Sequence, residues 1–180
     1  PLLDVLRSYF DLTEEDREFV VRKKIREKLT ALDEKLESEL SPILELLSLK
    51  AEDEIYIQLD PQVKKNKTFE ALRNFLIRQS REMPLVLVIE DLHWIDNATQ
   101  EFINYLIDTL PGSRILLLLL YRPEYTHQWA SKSFYTQIGL DQLGPDASLE
   151  LIKAILQESS TSEDLRELII QKAAGNPLFM

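Results

Sequence analysis

The chain has 180 residues, 44% hydrophobic and 29% charged, with a formal net charge of −10. It contains no cysteine, which excludes disulfides and thiolate metal sites. The acidic balance argues against a nucleic-acid binder, which needs a basic footprint to displace counterions.

The longest apolar run, Ile115–Tyr121, is far too short to span a bilayer, and no basic-then-apolar signal opens the chain. No membrane contact is expected. The two basic clusters are Arg22, Lys23, Lys24 and Arg26, and Lys64, Lys65 and Lys67. Acids surround the first, which reads as a solvated helix face.

In chain order, Leu2, Leu3, Leu6 and Phe10 lie on one face of an opening helix. Thr13 followed by Glu14, Glu15 and Asp16 reads as an N-cap with acids in the first turn. Ile25, Leu29, Leu32 and Leu36 continue at helical spacing. Pro42 starts a short helix to Leu49. Residues 50–67 have weak periodicity and read as a loop. Thr68 then caps a helix carrying Phe69, Leu72, Phe75 and Leu76, closed by Pro84.

Leu85–Ile89 is the first convincing strand. Its apolar residues are continuous, so burial on both faces of a parallel sheet is expected. Asp96 or Asn97 caps a helix with Phe102, Ile103, Leu106, Ile107 and Leu110 inward. Ile115–Leu120 is a second buried strand. Strand, helix and strand at this distance make a parallel βαβ crossover. A weaker third strand covers Gln137–Leu140.

Beyond it, Asp146 caps a helix with Leu149, Ile152, Ile155 and Leu156. Thr161 and Asp164 form a capping-box pair for a last helix, and Gly175 sits where a helix C-terminal glycine belongs. The chain is therefore a helix-rich α/β protein with a small helical unit after the sheet. Both ends read as interior to a longer polypeptide.

The stretch PLVLVIEDLHWID, residues 84–96, carries the chemistry. Glu90 and Asp91 stand at the carboxyl end of a parallel strand, where open sheets bind ligands. Nucleotide hydrolysis needs one acid to hold Mg²⁺ and a second to orient a water. A bound cation also relieves the repulsion between adjacent carboxylates. A tryptophan after a strand is more often packing than base stacking, so Trp94 reads as a packing residue. His93 could hydrogen-bond a carboxylate or sense phosphate, but reads first as a satisfied structural histidine. Asp96 is explained by its cap, and Tyr125, Trp129 and Tyr135 by a covering loop.

PLVLVIEDLHWIDNAT resembles the Walker B segment of STAND-type P-loop ATPases. The nearest likeness is to AAA-like modules found beside nucleotide-cyclase domains, in large bacterial regulators and upstream of tetratricopeptide arrays. LLLLLYRPEY resembles their next strand, ending in a sensor arginine, here Arg122. AAGNPLF resembles their GxP motif, which places Pro177 near the adenine. LLDVLRSYF resembles the helix downstream of the P-loop.

The resemblance implies a partial parallel P-loop sheet flanked by helices over residues 1–143 and the start of a helical subdomain over 144–180. It implies an ATP-binding and ATP-hydrolysing regulatory switch, in the cytoplasm, using ATP/ADP and Mg²⁺. Glu90 then holds Mg²⁺ through water, Asp91 is the base, and Arg122 and Pro177 contact nucleotide. The alternative is a scaffold of the same architecture that hydrolyses little. The family usually has aspartate first and glutamate second, the reverse of Glu90–Asp91.

No G-x-x-x-x-G-K-[ST] occurs. Only Gly139 and Gly144 have its glycine spacing, and Pro145–Asp146 follows them. The expected partners are therefore a P-loop segment and further domains of the same polypeptide. The resemblance places the P-loop strand between Ile115–Leu120 and Gln137–Leu140. Without it, weak ATP binding and self-association are expected. A phosphoacceptor receiver fold, also suggested by VIED, is argued against because the next strand ends in Tyr121–Arg122 and no later strand leads to a lysine.

Overall fold

The computed structural model describes residues 2–156 and 163–180. They pack as two units, one up to His127 and one from Gln128. The helices of the first unit are α1 (Leu2–Tyr9), α2 (Glu18–Leu32), α3 (Leu40–Leu46), α4 (Glu54–Ile57), α5 (Pro61–Glu82) and α6 (Asn97–Ile107). Its strands are β1 (Leu85–Ile89) and β2 (Ile115–Leu119). The second unit holds α7 (Pro145–Leu156) and α8 (Glu163–Ala173).

The first unit is built around α5. Asp60 caps it, accepting from the backbone amides of Gln62 and Val63, and Pro61 takes the first helical position. Its buried residues Ala71, Leu72, Phe75 and Leu76 join Leu6 from α1, Phe10 from the turn after it, and Phe102 and Leu106 from α6 in one core. Tyr9 and Phe10 both meet the Phe75 ring, at 4.7 and 5.7 Å. Phe69 meets Phe102 edge-on at 5.5 Å.

Residues 50–67 are not a loop. They contain α4 and the first two turns of α5. Periodicity is weak there because the α5 start is a polar, solvated face of good helix formers. Lys64 pairs with Glu45 at 2.9 Å and Lys65 pairs with Glu101. Thr68 is inside the helix, its hydroxyl turned back on the Lys64 carbonyl at 3.0 Å.

Thr13 caps no helix either. Its backbone amide donates to Asp16 at 2.8 Å, and Lys24 claims the same carboxylate at 2.7 Å. The turn so closed delays α2 to Glu18. That helix stops at Leu32, and Leu36 is buried from a separate 3-10 segment, Glu34–Glu39. Acids neutralise the basic cluster on α2: Arg22 and Arg26 both pair with Glu52.

Strands β1 and β2 pair in parallel, from Leu85 opposite Ile115 to Ile89 opposite Leu119, with α6 as the crossover. Burial alternates along both strands. Leu85, Leu87 and Ile115 pack on the helical core, whereas Val86 and Leu116 are 59% and 55% exposed. This corrects the expected burial on both faces. The run of apolar residues is continuous, but helices of this unit cover one side of the sheet among the described residues.

Gln137–Leu140 is not a strand. A four-residue segment broken by Gly139 gains little from extension unless a neighbour completes its backbone hydrogen bonds. Ile138 and Leu140 are exposed. In the second unit, Pro145 opens α7, and Asp146 lies in its first turn rather than capping it. Thr161 of the expected capping box lies outside the described residues.

Gly175 follows α8 at φ +79°, and a Cβ there would meet the Leu143 carbonyl oxygen at 2.5 Å. The Gly175 carbonyl in turn accepts from the Leu143 amide at 2.8 Å. Conformation and space both demand glycine. Gly175→Ala should destabilise the protein by about 1–3 kcal/mol, read as a lower urea midpoint. An unchanged midpoint would mean this turn relaxes freely.

Candidate functional site

The site begins where β1 ends. The Leu120 amide donates to the Ile89 carbonyl at 2.9 Å, and the Leu92 amide donates to the Leu120 carbonyl at 3.0 Å. Glu90 and Asp91 lie between these two links, both exposed. Asp91 adopts the left-handed conformation, φ 51° and ψ 41°. Aspartate tolerates this region better than most residues, but at a cost. The strained residue makes the chain turn at the strand end. Leu92 is thereby sent inward to complete burial, while the Asp91 carboxylate stays 65% exposed.

A single 3-10 turn, Leu92–Trp94, follows, closed by the Trp94 amide on the Asp91 carbonyl at 2.8 Å. Asp96 then caps α6, as expected. It accepts from the Thr99 amide at 2.8 Å and the Thr99 hydroxyl at 2.6 Å. Those bonds hold its carboxyl below the usual carboxylate range.

His93 is sunk to 14% side-chain exposure, yet neither ring nitrogen has a hydrogen-bond partner. Its Nε2 stops 3.9 Å from the Asp91 carboxylate, beyond hydrogen-bond reach. A satisfied structural histidine was expected, and neither ring nitrogen is satisfied. Trp94 is the larger departure. Expected to pack, it is 72% exposed. Its ring contacts His93 at 4.7 Å, and the Arg122 guanidinium lies 5.3 Å from its centroid.

Arg122 comes from the loop after β2. Its neighbours hold that loop. The Tyr121 hydroxyl and His127 Nε2 are 3.0 Å apart, and the Tyr121 and Tyr125 rings meet at 5.4 Å. Tyr125 donates to Gln100 on α6. Glu90, Asp91, His93, Leu120, Tyr121 and Arg122 together line one open depression of about 270 Å³. A neighbouring one of about 410 Å³ shares His93 and Arg122.

Three of the four residues singled out from the sequence thus meet in one place. Pro177 belongs to the second unit. It is exposed and opens a 3-10 turn, Pro177–Phe179, capped by Asn176. Sequence reasoning missed the Trp94–Arg122 stack. The exposed side of the turn was not readable, because a tryptophan beside a buried leucine looks like packing.

The donors suit a hard cation: two carboxylates side by side, with no soft ligand. No cluster of three or more histidine or carboxylate side chains that could enclose a metal is present among the described residues. Glu90 and Asp91 therefore fit Mg²⁺ shared with phosphate oxygens and water, not a closed protein cage. Among the described residues no helix is long and apolar enough to cross a membrane.

Comparison with known proteins bears on the same segment. An uncharacterized protein of Rhizobium meliloti (strain 1021), R02095, is 28% identical over 123 residues. The match takes in 67% of this chain and 12% of that protein, so the chain spans a small part of its relative. No solved structure matches. The family model described as AAA ATPase domain matches residues 3–119, from α1 through β1, the acid pair and β2. With the matching span ending on the strand beside Glu90 and Asp91, the chain belongs to the AAA ATPase domain family, as an AAA-like module of the P-loop ATPase class.

Proposed function

We propose that this chain is the Walker B and sensor portion of an ATP-hydrolysing regulatory switch of the STAND type, within a larger signalling protein. The observation that carries the reading is the meeting of Glu90, Asp91 and Arg122 in one depression at the carboxyl ends of two parallel strands. Asp91 orients and deprotonates the attacking water. Glu90 would hold Mg²⁺, which when bound would supply charge neutralisation at the phosphates. Arg122 contacts the phosphates as they change charge. Pro177 is assigned to the adenine by its match to the family's GxP motif, and the helical unit that carries it reads out ATP against ADP.

The phosphate cradle is not among these 180 residues, because no Gly-rich loop followed by Lys and Ser/Thr occurs. A P-loop segment of the same polypeptide is the partner this reading requires. The test is phosphate release by the full-length protein titrated with ATP and Mg²⁺. Saturable release supports the switch.

A second reading is a nucleotide-binding scaffold with little hydrolysis. It is favoured by the order Glu90 then Asp91, since the shorter side chain in the second position reaches less far toward a water. ATP binding without release would select it.

Glu90 separates metal from nucleotide. Glu90→Gln should weaken Mg²⁺-dependent ATP binding about 10–100-fold, the scale for losing a partner of a metal's water ligand. Mg²⁺-free binding should stay nearly the same. Titration calorimetry with and without metal reads this directly, and equal losses in both would remove the metal role from Glu90.

A further inference from the structure

Trp94 is the most exposed aromatic side chain in the first unit apart from Phe19. Burial cannot explain its place beside the acid pair, so its contacts must. One is His93, itself nearly covered. The other is the guanidinium of Arg122. Arg122 shares a depression with Glu90 and Asp91, yet forms no ion pair with either among the described residues. An arginine fork beside two carboxylates normally closes onto them in a short charge-assisted bond. Here the guanidinium lies over the indole instead, a contact suited to arginine and best made by tryptophan.

We propose that Trp94 is a positioning residue: its indole holds the Arg122 guanidinium at the rim of the depression, off Glu90 and Asp91, where a phosphate can meet it. This rests on the phosphate-contacting role given to Arg122 above. Both sides of the stack are pinned. The left-handed Asp91 and the buried Leu92 fix the direction of Trp94. The Tyr121–His127 and Tyr125–Gln100 bonds fix the loop bearing Arg122. Without the indole, the guanidinium is free to fold onto the carboxylates. That would mask a phosphate contact and neutralise the acids that hold metal and water.

A double-mutant cycle on the full-length protein tests this, with Trp94→Ala, Trp94→Phe, Arg122→Ala and the Trp94→Ala/Arg122→Ala pair. Trp94→Ala should lower kcat/KM for ATP about two- to fivefold, the scale of an exposed cation–π contact. Trp94→Phe should restore most of it. Once Arg122 is replaced by alanine, Trp94→Ala should cost nothing further. Independently of turnover, the Arg122 side-chain protons should show an upfield ring-current shift in NMR that Trp94→Ala abolishes. Melting should not change, since the indole is largely in water.

Equal losses with and without Arg122 would show that Trp94 acts by another route and would overturn the proposal. So would a loss for Arg122→Ala with none for Trp94→Ala. If Arg122→Ala leaves ATP kinetics intact while the ring-current shift persists in the unsubstituted protein, the stack exists but the phosphate role of Arg122 fails, and the proposal fails with it.

Discussion

Asp91→Asn should reduce ATP turnover of the full-length protein by about 10²-fold or more while ATP binding survives. The substitution is unusually clean at this position. Asp91 sits at φ 51°, and asparagine is the other side chain that accepts this left-handed region readily. The turn, the inward path of Leu92 and the exposed side chain are therefore all kept. What changes is one negative charge and the ability to take a proton. Losing a positioned general base usually costs about 10²–10⁴-fold.

Because the Asp91 side chain is 65% exposed, the change should leave the unfolding free energy within about 0.5 kcal/mol of the original. Phosphate release and nucleotide binding, measured side by side, decide the matter. Turnover that persists in the Asp91→Asn protein would assign the base to another residue.

The placement of that acid was legible in the sequence for a physical reason. An apolar run that ends abruptly on two charges must leave the sheet at that point, and the strand ended at Ile89 as read. The cap at Asp96 was legible because an Asp three residues before a Thr can satisfy both its amide and hydroxyl. The start of α5 was not. Asp60–Pro61 is a good start signal, but the polar face behind it hid the helix from any reading based on apolar spacing. The Gln137–Leu140 strand was over-read for the opposite reason. Four favourable residues do not make a strand without an edge to bond to. Burial of the second sheet face was over-read too: Val86, Val88, Leu116 and Leu118 have the composition of a buried strand but stay exposed.

Within the site, residue types announced Glu90, Asp91 and Arg122, whereas their supports did not announce themselves. Whether Trp94 faces in or out depends on one backbone angle at Asp91. That angle is set by the whole βαβ unit, not by the local sequence. The same holds for the neighbours of Arg122, where Tyr121 and His127, six positions apart in the loop, are brought together.

Leu92→Ala should be the most damaging change near the site. Leu92 has no exposed surface and follows the strained Asp91 directly. Its burial opposes that strain, since releasing Leu92 would let Asp91 relax toward the ordinary β region. Its amide also bonds the Leu120 carbonyl, tying the turn to the end of β2. Truncation removes the buried methyl groups and leaves a cavity, a loss of about 2–5 kcal/mol. That is a large share of the roughly 5–15 kcal/mol holding a domain together. A lower urea midpoint with an unchanged slope is the expected reading.

Turnover should fall as well, in protein that remains folded, because Asp91 loses its fixed direction. Leu92→Met keeps the volume and should cost less than about 1.5 kcal/mol, with turnover largely kept. If Leu92→Ala lowers stability but the folded fraction hydrolyses ATP at the original rate, then the left-handed turn is held by its backbone bonds alone. Leu92 would then be core and nothing more.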